Sequence, residues 1–113
     1  MTQDSTARFA AGDVIRHLRF DYRGVVVDVD ATFRGTDEWY EQMAKSRPPK
    51  DEPWYHVLVH DALHTTYVAE RNLRADNAPA PIRHPLLREF FDRRIETEDG
   101  RGGRYVKDDA ILQ

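Results

Sequence analysis

YRGVVVDVDATF, Tyr22–Phe33, is the stretch that decides the fold. Val25, Val27, Val29, Ala31 and Phe33 alternate with Val26, Asp28, Asp30, Thr32 and Arg34. A period of two gives a β-strand one apolar face and one mostly polar face. Gly24, at the start of the run, predicts a bulge or a close backbone approach.

Strands are expected on both sides of it. Asp13–Phe20 (DVIRHLRF) reads as a strand after a Gly12-Asp13 turn, and Asp21 opens a tight connection. Trp54–His60 (WYHVLVH) is apolar on both faces, the mark of a central strand. His64–Ala69 (HTTYVA) is its hairpin partner across Asp61-Ala62-Leu63, and Glu70–Leu73 reads as one helical turn. Between these strands, Thr36 can cap a short helix or ordered loop over Thr36–Ser46. Asp37 and Glu38 fall where the positive helix end favours carboxylates. Arg47–Pro53 contains three prolines and is a connector.

The remainder is read as follows. Residues 1–8 are expected to be disordered, 9–74 to form the β domain, 75–84 (with the Pro/Ala run Ala75–Pro81) to be a linker, and 85–113 to be a helix and tail. The helix is Pro85–Glu96, with proline at its favoured first position. Leu86, Leu87, Phe90, Phe91 and Ile95 fall near one side of it, making it amphipathic. Asp99–Arg104 is expected to be a flexible turn, and Tyr105–Ile111 is too short to assign. The fold class is therefore mainly β: a small SH3-like β-barrel with a short inserted helix and a C-terminal amphipathic helix.

Composition narrows the function. At 113 residues the chain can build one core. It has no cysteine, which excludes disulfides, thiolate metal sites and cysteine nucleophiles. No run of about 18 apolar residues would span a membrane, and MTQDSTARFA lacks the pattern of a signal peptide, so a cytoplasmic protein is expected. The net charge of -3 argues against strong non-specific nucleic-acid binding but leaves room for a local basic patch.

That patch is expected at Arg16, Arg19, Arg23 and Arg34, with Tyr22 and Trp54 beside it; a mixed-charge surface is the blander reading, since Asp13, Asp21, Asp28 and Asp30 share the segment. Candidate partner-docking residues are Trp39, Tyr40 and Met43 on the inserted helix and Phe90 and Phe91 on the terminal one. His56 and His60 lie on one strand face but roughly 13 Å apart, too far for one ion, and His64 adds only a second ligand. Asp28 and Asp30 share a face and could serve a hard cation or acid–base chemistry, and with His56 they give a third reading, an unrecognised hydrolase. Solvent-facing carboxylates are the simpler account, because no catalytic motif accompanies them. The Gly100–Gly103 run has no phosphate-loop spacing. No enzyme activity and no cofactor are expected.

Together, Phe9–His17 (FAAGDVIRH), Tyr22–Asp30 (YRGVVVDVD), Pro53–Val59 (PWYHVLV), Thr66–Glu70 (TYVAE) and Asn72-Leu73 resemble the HspQ family, also called YccV-like or hemimethylated-DNA-binding. The resemblance covers about Phe9–Leu73. It implies an SH3-like barrel and a non-enzymatic role as a heat-shock adaptor that helps an ATP-dependent protease select substrates. Its alternative implication is binding of hemimethylated DNA in control of replication initiation. A homo-oligomer is compatible with the exposed aromatics.

Overall fold

A computed structural model describes residues 7–100 and 102–108. Expectations for residues 1–6 and 109–113 lie outside the described residues. The elements, in chain order, are β1 (Val14–His17), β2 (Arg23–Asp30), α1 (Asp37–Met43), β3 (Trp54–Val59), β4 (Thr65–Ala69), β5 (Leu73–Ala75), α2 (Leu87–Phe90), β6 (Arg93–Glu96) and β7 (Gly103–Val106). A single 3₁₀ turn, Glu70–Asn72, joins β4 to β5.

Five strands form one antiparallel sheet in the order β4-β3-β2-β1-β5. Its two edge strands are consecutive in sequence. A flat sheet would hold them about 19 Å apart, at roughly 4.8 Å per strand, whereas one 3₁₀ turn rises only about 6 Å. The sheet must therefore curl strongly. No ladder joins β4 to β5 among the described residues, so no closed barrel forms there and the outer edge of β4 stays unpaired.

The strand assignments explain themselves from side chains. In β3 five of six residues are buried, as expected of a strand covered on both faces. Gly24 allows β2 to lie against β3: a Cβ there would sit 2.5 Å from Val57 Cγ1 and 2.6 Å from the Leu58 carbonyl oxygen. The close approach is thus at Gly24, while the bulge lies further on, between Val26 and Asp28. The bulge changes the alternation. Val26 and Val29 turn to one face with Phe9, Ile15, Tyr55 and Val57. Val25 and Val27 turn to the other, with Val14, Leu58, Ile82, Phe91 and Tyr105. Val26, expected on the polar side, is fully buried.

α1 forms where expected. Thr36 Oγ1 accepts the Trp39 backbone N–H at 3.1 Å, which satisfies one of the helix's free donors. The helix covers one end of the second sheet face with Tyr40 and Ala44, against Trp54, Ala69, Phe33, Trp39 and Tyr67.

The C-terminal part corrects the sequence reading. Pro85–Glu96 is not one amphipathic helix. Only Leu87–Phe90 is helical; Phe91 is extended (φ -136°), and Arg93–Glu96 pairs with Gly103–Val106 as a hairpin. Thr97 closes that hairpin by donating its N–H to the Gly102 carbonyl. A four-residue helix carries little stability of its own, so the ladder of the hairpin decides the conformation. The Pro/Ala stretch is tied down as well. Ala75 is in β5, Ile82 is buried, and the Ile82 N–H donates to Tyr105 Oη at 2.8 Å. β7 then reaches the beginning of the described chain: the Tyr105 N–H donates to the Gly12 carbonyl, and Arg104 lies 3.5 Å from Asp13. Among the described residues no helix is long and apolar enough to cross a membrane.

Candidate functional site

The four expected arginines part company. Arg16 and Arg23 are cross-strand partners on β1 and β2, and both turn to Asp76. Arg23 Nε donates to Asp76 Oδ2 at 2.6 Å, and its Nη2 donates to the Ala80 carbonyl. Arg16 also donates to Asp21 at 3.0 Å. The Arg23 and Asp76 side chains are 11% and 6% exposed, so this is an internal clamp and Arg23 offers no phosphate a free guanidinium. Arg34 sits elsewhere, beyond β2, in a recess with Asp30, Trp39, His56 and Tyr67. Only Arg19 belongs to an open groove.

That groove, about 510 Å³, follows the outer side of β4. The β1–β2 turn forms one wall through Arg19, Phe20 and Tyr22, and the end of α1 forms the other through Trp39, Met43 and Lys45. Tyr22 Oη and Thr66 Oγ1 meet at 2.7 Å across its inner end. The lining includes His17, His56, His64, Thr65, Thr66 and Tyr67, and contains no carboxylate. In a chain with 20 acidic residues and net charge -3, that local composition is distinctive.

The aromatic side chains are held by packing. His56 lies 4.5 Å from the Tyr67 ring, and Trp39 meets Tyr67 edge-on at 5.7 Å between centroids. Tyr67 donates its hydroxyl to Asp30 Oδ2 at 2.6 Å and accepts the Arg34 backbone N–H at 3.0 Å. Burial, together with the charged Asp30 beside it, pushes the Tyr67 phenol up to about 12. For Asp30 burial works against the charge, but the hydrogen bonds from Tyr67 and His56, with His56 and Arg34 nearby, outweigh it and hold the carboxyl below its ordinary range. His17 is buried, and its Nδ1 accepts the backbone N–H groups of Arg19 and Phe20 at 3.1 and 3.2 Å. Desolvation, then the nearby Arg19, pushes His17 below the usual histidine range, so it is a neutral strut for the wall.

The expected docking residues also divide. Met43, 62% exposed, and Trp39 line the groove. Tyr40 is 6% exposed and donates its hydroxyl to the Pro48 carbonyl, so it is core and has no surface to dock with. Phe91 is likewise buried, against Tyr105, while Phe90 remains partly exposed away from the groove. Sequence reasoning passed over Lys45, Phe20 and Thr65 as site residues. No local signal marked them, since only the curl of the sheet brings the β1–β2 turn and the end of α1 to either side of β4.

Asp28, Asp30 and His56 are brought together, while His60 is drawn away. Its Nδ1 accepts the Arg83 N–H, and its Nε2 lies 3.2 Å from Asp61. A family model described as YccV-like, hemimethylated DNA-binding protein YccV like, matches residues 7–98.

Proposed function

The chain belongs to the YccV-like family, and on that premise we propose that it is a non-enzymatic DNA-binding module that reads hemimethylated duplex through the groove beside β4. The observation that carries this reading is the groove's composition: two cations, Arg19 and Lys45, with aromatic rings and hydroxyls between them and no carboxylate in the lining itself, Asp30 standing behind Tyr67 and His56. Phosphates are met by the cations, and the methyl group of one strand is met in the major groove by apolar side chains of the lining such as Phe20 and Met43. The strand order and the one-turn connection from β4 to β5 support reading the curled sheet as an SH3-like roll.

The test is a titration of hemimethylated, fully methylated and unmethylated duplexes of one sequence at several salt concentrations, with the parent and with Arg19→Ala/Lys45→Ala. Each phosphate contact contributes about 0.9 to the slope of log K against log salt. The double variant should lose roughly 1.8 from that slope, with the hemimethylated preference confined to the parent. No binding by the parent, or an unchanged slope in the variant, overturns the assignment.

A second reading is favoured by the unpaired edge of β4. An extended peptide could add there as a further strand, with Phe20 and Met43 as side-chain contacts. This suits a quality-control adaptor that presents substrates to an ATP-dependent protease. Hydrogen exchange separates the two: peptide addition newly protects the alternate amides of Thr65–Ala69 that face the open edge, while DNA held by side chains leaves them nearly as in the free protein.

A further inference from the structure

We propose that Asp28, Asp30 and His56 form a site for one divalent transition-metal ion of the zinc type. The bulge in β2 sets Asp28 opposite His56 on β3, and Tyr67 of β4 stands opposite His56 on its other side. Asp28, His56 and Tyr67 thus form one row across three strands, with Asp30 alongside. Each of the three ligating side chains offers an atom, and these atoms all lie within 4.8 Å of one another; no other such group occurs among the described residues. His56 Nε2 and Asp30 Oδ2 are 3.1 Å apart. Zinc takes imidazole nitrogen and carboxylate oxygen at about 2.0–2.2 Å, so a small rotation of the exposed Asp28 completes a three-ligand set.

Two features prepare the site. The Tyr67 hydroxyl fixes the Asp30 carboxylate, and its ring lies against His56, the kind of outer support that orients metal ligands. Two carboxylates balance a divalent charge, and one imidazole tilts the set from magnesium or calcium toward zinc. The other histidines with ring hydrogen bonds are committed: His17 and His84 accept backbone N–H groups at Nδ1, as does His60. The site opens to solvent, so water or a ligand oxygen fills the remaining positions. Arg34, at the edge of the recess, is an opposing charge that acts on Asp30.

The inference does not rest on the DNA reading, although His56 and Tyr67 also line that groove, and it is tested with Zn²⁺ alone. Calorimetry of the full chain should give one saturable site. The ¹H–¹⁵N resonances of residues 28–30 and 56 should move most. Asp28→Asn/Asp30→Asn should abolish that binding. Tyr67→Phe should weaken it by about 10-fold or more. A dispersed spectrum of the variant without metal checks its fold. If the double variant does not fold, Asp28→Asn alone, at an exposed position, carries the test and should weaken binding at least tenfold, on the order of other losses in metal sites. No saturable binding, shifts centred on other histidines, or undiminished binding in the variant overturns the site.

Discussion

Replacing Asp76 by alanine separates the clamp from any role in binding. The Asp76 carboxylate, 6% exposed, faces Arg23 at 2.6 Å and Arg16 at 3.5 Å. Alanine leaves two guanidinium groups without that counter-charge, and Arg23 is itself only 11% exposed. Removing one partner of a buried pair typically costs about 3–5 kcal/mol, chiefly because the remaining charge is desolvated and unpaired. Here Arg23 keeps the Ala80 carbonyl and Arg16 keeps Asp21, so the lower end of that range, about 3 kcal/mol, is expected. At about 4 °C per kcal/mol for a chain of this size, the melting temperature should fall by roughly 12 °C. Thermal melts by circular dichroism at pH 7, with urea unfolding alongside, measure it. Asp21→Ala is the control: its side chain is 82% exposed, and an exposed pair contributes at most about 1 kcal/mol. If Asp76→Ala lies within 1 kcal/mol of the parent, on the order of such an exposed pair, the clamp is solvated and the division of the arginines into structural and functional is wrong.

Trp54→Ala should be among the most destabilising single changes, at about 3–5 kcal/mol, because Trp54 is 1% exposed and donates Nε1–H to the Pro49 carbonyl; urea unfolding reads the loss, and a parent-like midpoint would contradict the packing. Stability should also fall on acidification. His17 and His60 both lie below their unfolded value of 6.5, desolvation being the first cause for each, so the unfolded chain binds the extra protons. Their contribution is present above pH 6.5 and is lost as pH falls from there through the lowered folded values. His17→Asn, which keeps an acceptor near Nδ1, should flatten part of that slope in melts between pH 7.5 and 5; an unchanged slope would remove His17 from the account.

Much of the sheet was legible because its signals are local. GVVVDVD and WYHVLV each announce their strand through the pattern of their own side chains, and Thr36 announces the start of α1. The bulge was not legible, since Val26 and Val27 look alike in sequence and only the register against Val57 and His56 shows which turns inward. The terminal helix failed for a related reason: Leu86–Ile95 has helical spacing, but Arg93–Glu96 has a strand to pair with, and a partner at Gly103–Val106 outweighs a short amphipathic face. The turn residues Glu98-Asp99-Gly100 were the available hint. The four arginines were expected as one group, and nothing local in the sequence sorted them. Asp76 lies 53 residues from Arg23 in sequence, inside a stretch whose prolines and alanines suggested only a spacer.

The link between β7 and Gly12 sets a timetable for the chain as it is made. Tyr105 closes onto Gly12 across 93 residues, and Ile82 and Phe91 complete the same cluster with Val14 and Val25. At about 5–20 residues per second, a ribosome needs roughly 5–20 s to travel from one partner to the other. For that interval β1 and β2 have emerged with one valine face uncovered, and no local contact can replace the cover. That valine face therefore stays open to aggregation until the β6–β7 hairpin has left the exit tunnel.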